Sequence, residues 1–295
     1  MRFFEFFARP AAEFPLWAKL LLLSFLTFVM YFFATIVGVV MLRLLPYGHV
    51  DNVRLMQFAT AVIVFGITAV VADRIFSPRG CSLLCFNSEW FHCSRLSAVL
   101  SAFLLAAVAI LFFSPAVSYL SWLNECFIPK SQGSEQIQQL TDQLLLTDSF
   151  GIFLLNVLIL AVVPAVVEEM FFRGVVQGLI CRHIPNVHIA VWFSAFVFSA
   201  FHMQFDALLP RWLLGAFLGY LFLYSGSLWL SSFAHYANNV SVVIIAYFWP
   251  ELYKSDVDIV IRQYPLALVA SLFVIVALLF LLSRCFDQNK CLRKL

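Results

Sequence analysis

The segment Val166-Val167-Glu168-Glu169-Met170-Phe171-Phe172-Arg173-Gly174 places two carboxylates and a guanidinium inside a long apolar stretch. The whole chain has 63% hydrophobic and only 12% charged residues, whereas about a quarter of the residues of a soluble domain are charged. A charged group inside a membrane costs several kcal/mol and usually marks a transport pathway or a reaction centre. The sequence therefore predicts a membrane protein with its functional site near these three residues.

Eight stretches are apolar and long enough to predict membrane spans, because a helix needs about 20 apolar residues to cross the hydrocarbon core. We expect an all-α, polytopic membrane helix bundle that forms one domain over residues 1–295, with its motif core in 164–241. Residues 77–96 are predicted to be a polar loop or an interfacial helix, and 122–148 a partly helical extramembrane segment. The predicted spans are 17–42, 55–76, 97–121, 149–182, 187–205, 207–224, 228–249 and 265–284.

The Lys and Arg residues that flank these spans are distributed unevenly, and such residues accumulate on the cytoplasmic side of membrane proteins. If both termini lie inside, the inner side carries eleven of them, which are Arg2, Arg9, Lys19, Arg74, Arg79, Arg95, Arg182, Arg284, Lys290, Arg293 and Lys294. The outer side then carries six, which are Arg43, Arg54, Lys130, Arg211, Lys254 and Arg262. We therefore expect cytoplasmic termini. The apolar composition predicts the lipid bilayer as a partner, and the net charge of +2 without a basic run predicts no nucleic-acid partner.

The acidic pair and the arginine of the fourth predicted span divide into an ion pair and a residual carboxylate. Glu169 and Arg173 are four residues apart, so they share a helix face and can neutralise each other. Glu168 lies about 100° around the helix and has no local partner. It therefore needs a proton, a cation or a metal ion from elsewhere in the fold. The alternative interpretation is a bracing salt bridge beside a protonated Glu168.

Two histidines and an asparagine lie on later spans. Glu168 and His202 are each 17 residues from Pro185, so a hairpin centred there would place both at the same depth, roughly 25 Å from the turn. His235 and Asn239 are four residues apart and share a helix face. His235 lies only nine residues from Gly226, so it reaches that depth only if the uncharged turn at Gly226 is sunk into the membrane. A polar clasp between helices is the alternative for these side chains.

Together these residues provide the groups that amide hydrolysis requires, which are a base, a means of activating water and a donor for the oxyanion. Glu168 can act as base or metal ligand, and His202 and His235 can orient water or bind a metal such as zinc. Asn239 can donate to an oxyanion or serve as a further ligand. No His-Glu-x-x-His or Gly-x-Ser-x-Gly motif is present, and no pair of aspartates lies within the spans.

The motifs Glu168-Glu169-x-x-x-Arg173, Phe198-x-x-x-His202 and His235-x-x-x-Asn239 follow one another on successive predicted spans. In this order they resemble the type II CAAX prenyl endopeptidases and their bacterial relatives, the CAAX-protease and bacteriocin-processing (CPBP, or Abi) family. The resemblance is confined to about 75 residues, and the first three spans and the last carry no motif.

The resemblance implies an intramembrane endopeptidase with an eight-helix bundle and a cavity open to the cytosol. It implies a water activated by Glu168, with His202, His235 and Asn239 around it and Glu169 and Arg173 in support. It suggests zinc as a possible cofactor bound by Glu168, His202 and His235. A membrane-associated peptide precursor or prenylated protein would be the substrate, and a bacterial cytoplasmic membrane the location.

Two other functions are compatible with the same polar residues. A non-enzymatic bacteriocin-immunity or scaffold protein could keep this polar core without cleaving a substrate. A proton-coupled transporter could use Glu168 as a proton site, but transporters usually contain repeated halves and paired broken helices. The sequence shows neither of these features.

Overall fold

The computed structural model describes residues 11–44, 49–77, 82–86, 96–129, 132–255 and 263–285. All regular secondary structure in these ranges is helical, so the predicted all-α class is confirmed. A 3₁₀ turn over Phe205–Ala207 precedes the eighth helix. The helices are α1 (Leu16–Leu44), α2 (49–76), α3 (Leu96–Leu111), α4 (Phe113–Phe127), α5 (Gln132–Leu145), α6 (Phe150–His183), α7 (Val187–Phe201), α8 (Leu208–Ser225), α9 (Leu228–Phe248), α10 (Pro250–Lys254) and α11 (Pro265–Cys285).

Several helices are long and apolar enough to cross a bilayer. In the described ranges five meet this condition, namely α1, Val50–Phe76 of α2, α6, Phe205–Ser225 with α8, and α11. The bent pair α3 and α4 adds a sixth if it is one span. The chain is therefore a multi-pass membrane protein, but length and composition do not support the full predicted count of eight. Helix α7 has only 15 residues, or about 22 Å against a hydrocarbon thickness of about 30 Å.

The predicted span 97–121 consists of two helices that meet at Phe112 with a bend of 40°. Pro115 lies in the first turn of α4 and has no N–H to donate to the preceding turn, which favours a break there. The carbonyl oxygen of Phe112 accepts a hydrogen bond of 2.5 Å from the Ser271 hydroxyl of α11. The bend between α3 and α4 is thus anchored to α11.

Helix α6 carries the acidic pair through the centre of the bundle. Its segment from Phe171 to Ile180 is buried throughout, and it packs on α2, α7 and α9. Helix α1 lies at the periphery and exposes large apolar side chains, including Trp17, Phe25 and Phe28. A long helix with such a surface is suited to contact with lipid. The acidic pair is thus shielded from lipid by the surrounding helices.

Three π-helical stretches interrupt the two helices beside the site. Ala61–Ile67 lies in α2, and Val157–Val162 and Met170–Gln177 lie in α6 on either side of Glu168 and Glu169. Such stretches rotate the side chains that follow them and occur often at functional sites. The acidic pair therefore lies at the end of a short α-helical segment, Val163–Glu169, between two π-helical stretches.

The turn between α8 and α9 is buried rather than at the surface. Ser225 and Ser227 are fully buried, and Gly226 has the left-handed φ of 61° that the turn requires. The segment 82–86 covers this turn, and the Leu228 N–H donates to the Cys85 carbonyl at 2.8 Å. The turn is therefore buried within the protein, whereas its depth in the membrane stays a prediction.

Candidate active site

An ion pair within α6 forms the base of the site. An oxygen of Glu169, Oε1, lies 2.8 Å from Nη1 of Arg173, and both side chains are almost completely buried. Nη2 of Arg173 donates to the Gly215 carbonyl of α8 at 3.1 Å. The guanidinium carbon also lies 4.6 Å from the ring centroid of Phe198 on α7, a distance at which cation–π attraction is effective. This ion pair therefore joins α6 to α7 and α8.

His235 of α9 lies between the two adjacent carboxylates. Its Nδ1 is 3.1 Å from Oε1 of Glu169, whereas its Nε2 is 3.9 Å from Oε2 of Glu168. Because a carboxylate only accepts hydrogen bonds, Nδ1 carries the proton when Glu169 is ionised. The lone pair of Nε2 then faces Glu168 across a gap that a single water molecule can bridge.

His202 ends α7 at the same site. Its Nδ1 is 2.8 Å from the Phe198 carbonyl oxygen, so Nδ1 donates and Nε2 is left with its lone pair. The next residue, Met203, has a φ of 55°, in the left-handed region that non-glycine residues seldom adopt. The Phe198 ring lies against both imidazoles, with centroid distances of 5.0 Å to His202 and 5.6 Å to His235. Local backbone strain and an aromatic wall thus fix the position of His202.

Asn239 lies one turn beyond His235 on α9 and is half-buried. Its Oδ1 accepts a hydrogen bond of 3.1 Å from Nδ2 of Asn238. The NH₂ group of Asn239 is therefore left to act as a donor. Both asparagines line the same cavity as His235.

A cavity of about 650 Å³ brings the predicted residues together. Glu168, His202, His235 and Asn239 line it, whereas Glu169 and Arg173 lie behind the wall and hold its residues in place. The remaining lining is mostly apolar and comes from α1, α2, α6, α7, α8 and α9. It comprises Leu42, Asn52, Val53, Met56, Gln57, Thr60, Ala61, Phe65, Ile159, Leu160, Pro164, Phe198, Arg211, Leu214 and Asn238.

Comparison with known families adds to this geometry. Residues 150–241 match the family model of the Rce1-like type II CAAX prenyl endopeptidases. The matched segment, called the Rce1-like segment below, contains all six predicted site residues. The match confirms the resemblance and indicates an intramembrane protease, whose family implies a peptide or prenylated substrate. No curated protein and no solved structure is similar enough to this chain to count as a match.

The cavity extends from the Rce1-like segment toward one face of the membrane. On α6 it is lined by Ile159, Leu160, Pro164 and Glu168 and by no later residue, and on α9 by no residue before His235. The α1 and α2 contributions come from the end of α1 and the first part of α2. We call the side where α1 ends and α2 begins the mouth face, and the opposite side, where α1 begins and α11 ends, the terminus face. Cytoplasmic termini and a cytosolic cavity, both expected from the sequence, are therefore incompatible.

Arg211 is a site residue that the sequence analysis counted only among the cations of the outer side. It lies in the first turns of α8, within the Rce1-like segment, and lines the cavity. Its Nη2 donates to Oε1 of Gln204 at 2.7 Å, and its charge is near enough to act on Glu168 and His202. An arginine inside the apolar stretch 207–224 was the available signal, by the same argument that identified Glu168.

The polar face of α2 was also missed, because nothing in the sequence relates it to the Rce1-like segment. Asn52, Gln57 and Thr60 line the cavity at positions in the first half of α2. They add amide and hydroxyl groups to the wall between the mouth face and Glu168. These groups can bind the backbone of an extended peptide.

The donor set offers incomplete support for a metal ion. Glu168, His202 and His235 present one carboxylate and two imidazole nitrogens to one cavity, the types of ligand that zinc prefers. Among the described residues, however, no three His, Cys, Asp or Glu side chains are close enough to hold a metal ion. The zinc site predicted from the sequence therefore stays a prediction, and no catalytic step below is assigned to a metal.

Proposed function

We propose that this protein is an intramembrane endopeptidase that hydrolyses a peptide bond of a membrane-associated substrate with a water activated by Glu168. One observation carries the proposal: Oε2 of Glu168 and Nε2 of His235 lie 3.9 Å apart at the wall of a cavity large enough for a peptide. The Rce1-like match supports the protease class. A bacterial cytoplasmic membrane is the proposed location.

The proposed reaction begins with a water that donates one hydrogen bond to Glu168 and the other to Nε2 of His235. This arrangement leaves the oxygen lone pairs of the water free to attack a substrate carbonyl. As the new C–O bond forms, Glu168 accepts a proton from the water and acts as general base. The carbonyl oxygen becomes an oxyanion, for which the NH₂ group of Asn239 is the proposed donor.

The second step breaks the peptide C–N bond. The protonated Glu168 transfers its proton to the leaving nitrogen, and the products are a carboxylic acid and an amine. His202 is proposed to accept a hydrogen bond from the substrate or from water through Nε2, because its Nδ1 is already bound to the Phe198 carbonyl. The pair of Glu169 and Arg173 holds His235 in the tautomer that this sequence requires.

The proposal is tested with Glu168→Gln, which keeps the shape of the side chain and removes its function as a base. We expect cleavage of a peptide library by the purified protein in detergent micelles, followed by mass spectrometry, to fall by 10²-fold to 10⁴-fold or more, on the order of the loss of a general base. Glu135→Gln, at an exposed position of α5, serves as the matched control and should cleave normally. Normal cleavage by a folded Glu168→Gln variant would refute the mechanism.

Zinc binding requires a separate experiment. Elemental analysis would compare the purified wild-type protein with the double variant His202→Ala/His235→Ala. If zinc occupies the proposed ligands, the wild type should contain about one equivalent and the double variant should lose it. An equal zinc content in both proteins would exclude the two histidines as ligands and leave the glutamate mechanism unaffected.

A further inference from the structure

Arg211 introduces a positive charge into the cavity that the proposed mechanism does not use. The residue lies in the first turns of α8, within the predicted apolar span 207–224. Of the described residues that line the cavity, Arg211 is the one whose side chain is permanently protonated. A charge inside a membrane bundle is costly unless an opposite charge lies beside it, and such a charge usually has a function. The group that neutralises Arg211 is therefore informative about what the cavity binds.

Two other arginines of the bundle are buried, and each has a carboxylate beside it. Nη1 of Arg173 lies 2.8 Å from Oε1 of Glu169, and Nη1 of Arg54 lies 2.7 Å from Oδ1 of Asp51. Over the ranges that the structure describes, no such ion pair includes Arg211. The bundle therefore neutralises its structural arginines with its own acids and leaves Arg211 without an adjacent one.

The hydrogen bonds of Arg211 orient its guanidinium without neutralising it. Nη2 donates to Oε1 of Gln204 at 2.7 Å, and Nη1 donates to the Gln204 carbonyl at 3.4 Å. Both acceptors are uncharged, and the carboxylates of Asp206 and Glu168 act on Arg211 only from a longer distance. A guanidinium has more N–H groups than these two bonds use. None of the Arg211 nitrogens is both buried and without a partner, so the remaining N–H groups are accessible to a ligand.

We infer that Arg211 binds a carboxylate of the substrate, so that the cavity selects peptides with a negative charge close to the bond that is cut. The cut bond rests on the proposed function, whereas binding of a carboxylate by Arg211 does not require cleavage. Guanidinium and carboxylate form charge-assisted hydrogen bonds, often two in parallel. The carboxylate can belong to an acidic side chain or to a free C-terminus, which present the same chemistry to Arg211.

Glu168 makes this role specific, because an acidic group that enters the cavity meets a like charge there. Unless that repulsion is offset, the cavity favours neutral peptides. Arg211 is near enough for its charge to act on both Glu168 and His202, so a carboxylate bound by Arg211 lies close to the bond that the water attacks. The rest of the described lining provides no second permanent cation. A preference for a carboxylate should therefore depend on Arg211.

Binding of four short peptides to the Glu168→Gln variant, which is expected not to cleave them, tests the inference. The peptides consist of alanine, leucine and serine and carry a neutral fluorescent label at the N-terminus. They contain one central glutamate or glutamine, and each is made with a free C-terminal carboxylate and with a C-terminal amide. Fluorescence anisotropy in detergent micelles gives the dissociation constant of each peptide.

We expect a carboxylate to tighten binding by about 10-fold to 100-fold, the usual effect of hydrogen bonds between charged groups. Dependence on the central residue would identify an acidic side chain as the ligand, and dependence on the terminus would identify a free C-terminus. Adding Arg211→Gln should abolish the preference. Arg284→Gln, at an exposed position near the end of α11, is the matched control and should leave the preference unchanged.

Equal binding of the four peptides would overturn the inference, as would a preference that survives Arg211→Gln. If the Arg211→Gln variant does not fold, a diazirine placed next to the preferred carboxylate would be crosslinked to the Glu168→Gln protein and located by mass spectrometry. The crosslink should fall near Arg211, on residues such as Gln204 or Leu214. A crosslink confined to α1 or α2 would contradict the inference.

The carboxylate site and the proposed reaction can fail independently. If Glu168→Gln cleaves normally while Arg211→Gln removes the preference for a carboxylate, the mechanism is refuted and the carboxylate site stands. If Glu168→Gln abolishes cleavage but the four peptides bind equally, the mechanism stands and the carboxylate site is refuted. In the presence of Glu168, an equal fall in the cleavage of all four peptides by Arg211→Gln would also refute the site, because it would assign Arg211 to the support of Glu168.

Discussion

Glu169 stabilises two buried groups at once, because the same oxygen contacts Arg173 at 2.8 Å and Nδ1 of His235 at 3.1 Å. We predict that Glu169→Gln lowers the free energy of unfolding by about 3–5 kcal/mol, since it leaves a buried guanidinium without a counter-charge. The double variant Glu169→Gln/Arg173→Met should lose less than the single one. Chemical unfolding in detergent micelles would measure both.

The comparison for this pair is Asp51→Asn, which removes an exposed carboxylate from an arginine that is buried but keeps its hydrogen bonds to Asn156 and to the Leu144 carbonyl. The Asp51 side chain is 55% exposed, although it lies 2.7 Å from Arg54. The expected loss is below about 1 kcal/mol. Equal losses at Asp51 and Glu169 would contradict the role given to burial of the carboxylate.

Asn239 is predicted to affect the rate of catalysis and not the fold. Asn239→Ala should lower kcat by about 10²-fold to 10³-fold, the usual effect of removing one oxyanion donor, with little change in KM. Ser241→Ala, two residues along α9, is the control, because its hydroxyl donates to the Asn238 carbonyl and Ser241 is not among the residues that line the cavity. A large rise in KM at constant kcat would instead assign Asn239 to substrate binding.

At this scale the sequence predicted contacts only where spacing along one helix imposes them. The pairing of Glu169 with Arg173 follows from a separation of four residues. The contact between Glu169 and His235 joins positions 66 residues apart, and no local pattern encodes it. Arg211 was counted only among the outer-side cations, and only the folded chain shows that it lines the same cavity as Glu168.

Among the elements, the contact between α7 and α8 depends on a glycine. A Cβ at Gly215 would lie 3.1 Å from the Cα and 3.2 Å from the carbonyl oxygen of Ala195. We predict that Gly215→Ala destabilises the protein by about 1–3 kcal/mol through overpacking and also lowers activity, because α7 ends at His202. Thermal unfolding and the cleavage assay would measure the two effects.

Gly151→Ala in α6 provides the comparison, since its Cβ would have only one neighbour, the Ser149 hydroxyl at 3.8 Å. This variant should be as stable as the wild type or up to about 1 kcal/mol more stable, as alanine favours helices. Destabilisation of both variants by the same amount would contradict the assignment of the Gly215→Ala effect to the α7–α8 contact.

The extramembrane helices α5 and α10 are joined by a bond that depends on pH. The Tyr253 hydroxyl donates to Asp142 at 2.8 Å, and burial together with this bond raises the pKa of Tyr253 above its ordinary value of about 10. The folded protein then holds this proton more tightly than the unfolded chain. The stability that this bond contributes is therefore fully present below about pH 10 and is lost as the pH rises above it.

Tyr253→Phe should remove part of this alkaline loss. Unfolding of the wild type and the variant would be compared at pH 9 and pH 11 in the same detergent. The wild type should lose more stability between the two values than Tyr253→Phe does. Parallel losses would show that other groups dominate the alkaline response.

The sequence predicted the helical elements well where hydropathy alone sets them and less well where the backbone intervenes. The ends of α6 and α11 agree closely with the predicted spans 149–182 and 265–284. The span 97–121 hid a bend because Pro115 lies within an apolar run. The span 187–205 was predicted too long, since left-handed Met203 ends the helix near Phe201. The predicted polar loop 77–96 lies largely outside the described residues.

For the whole molecule, hydropathy and charge predicted a multi-pass bundle, but they could not relate the cavity to the termini. The resemblance implied a cytosolic cavity and the Lys and Arg count implied cytoplasmic termini. Only the pairing of helix ends in space shows that these expectations exclude each other. The distribution of Lys and Arg indicates which side of the membrane is cytoplasmic. The direction in which a cavity opens depends instead on how the helices pack.

The sunken turn at Gly226 has a kinetic consequence for the whole molecule. The buried turn closes the cavity on the terminus face. Both products of cleavage must therefore dissociate through the opening by which the substrate entered. An apolar product that dissociates slowly would block binding of the next substrate molecule. Progress curves should therefore slow well before the starting material is consumed, and dilution of the spent mixture should restore the initial velocity.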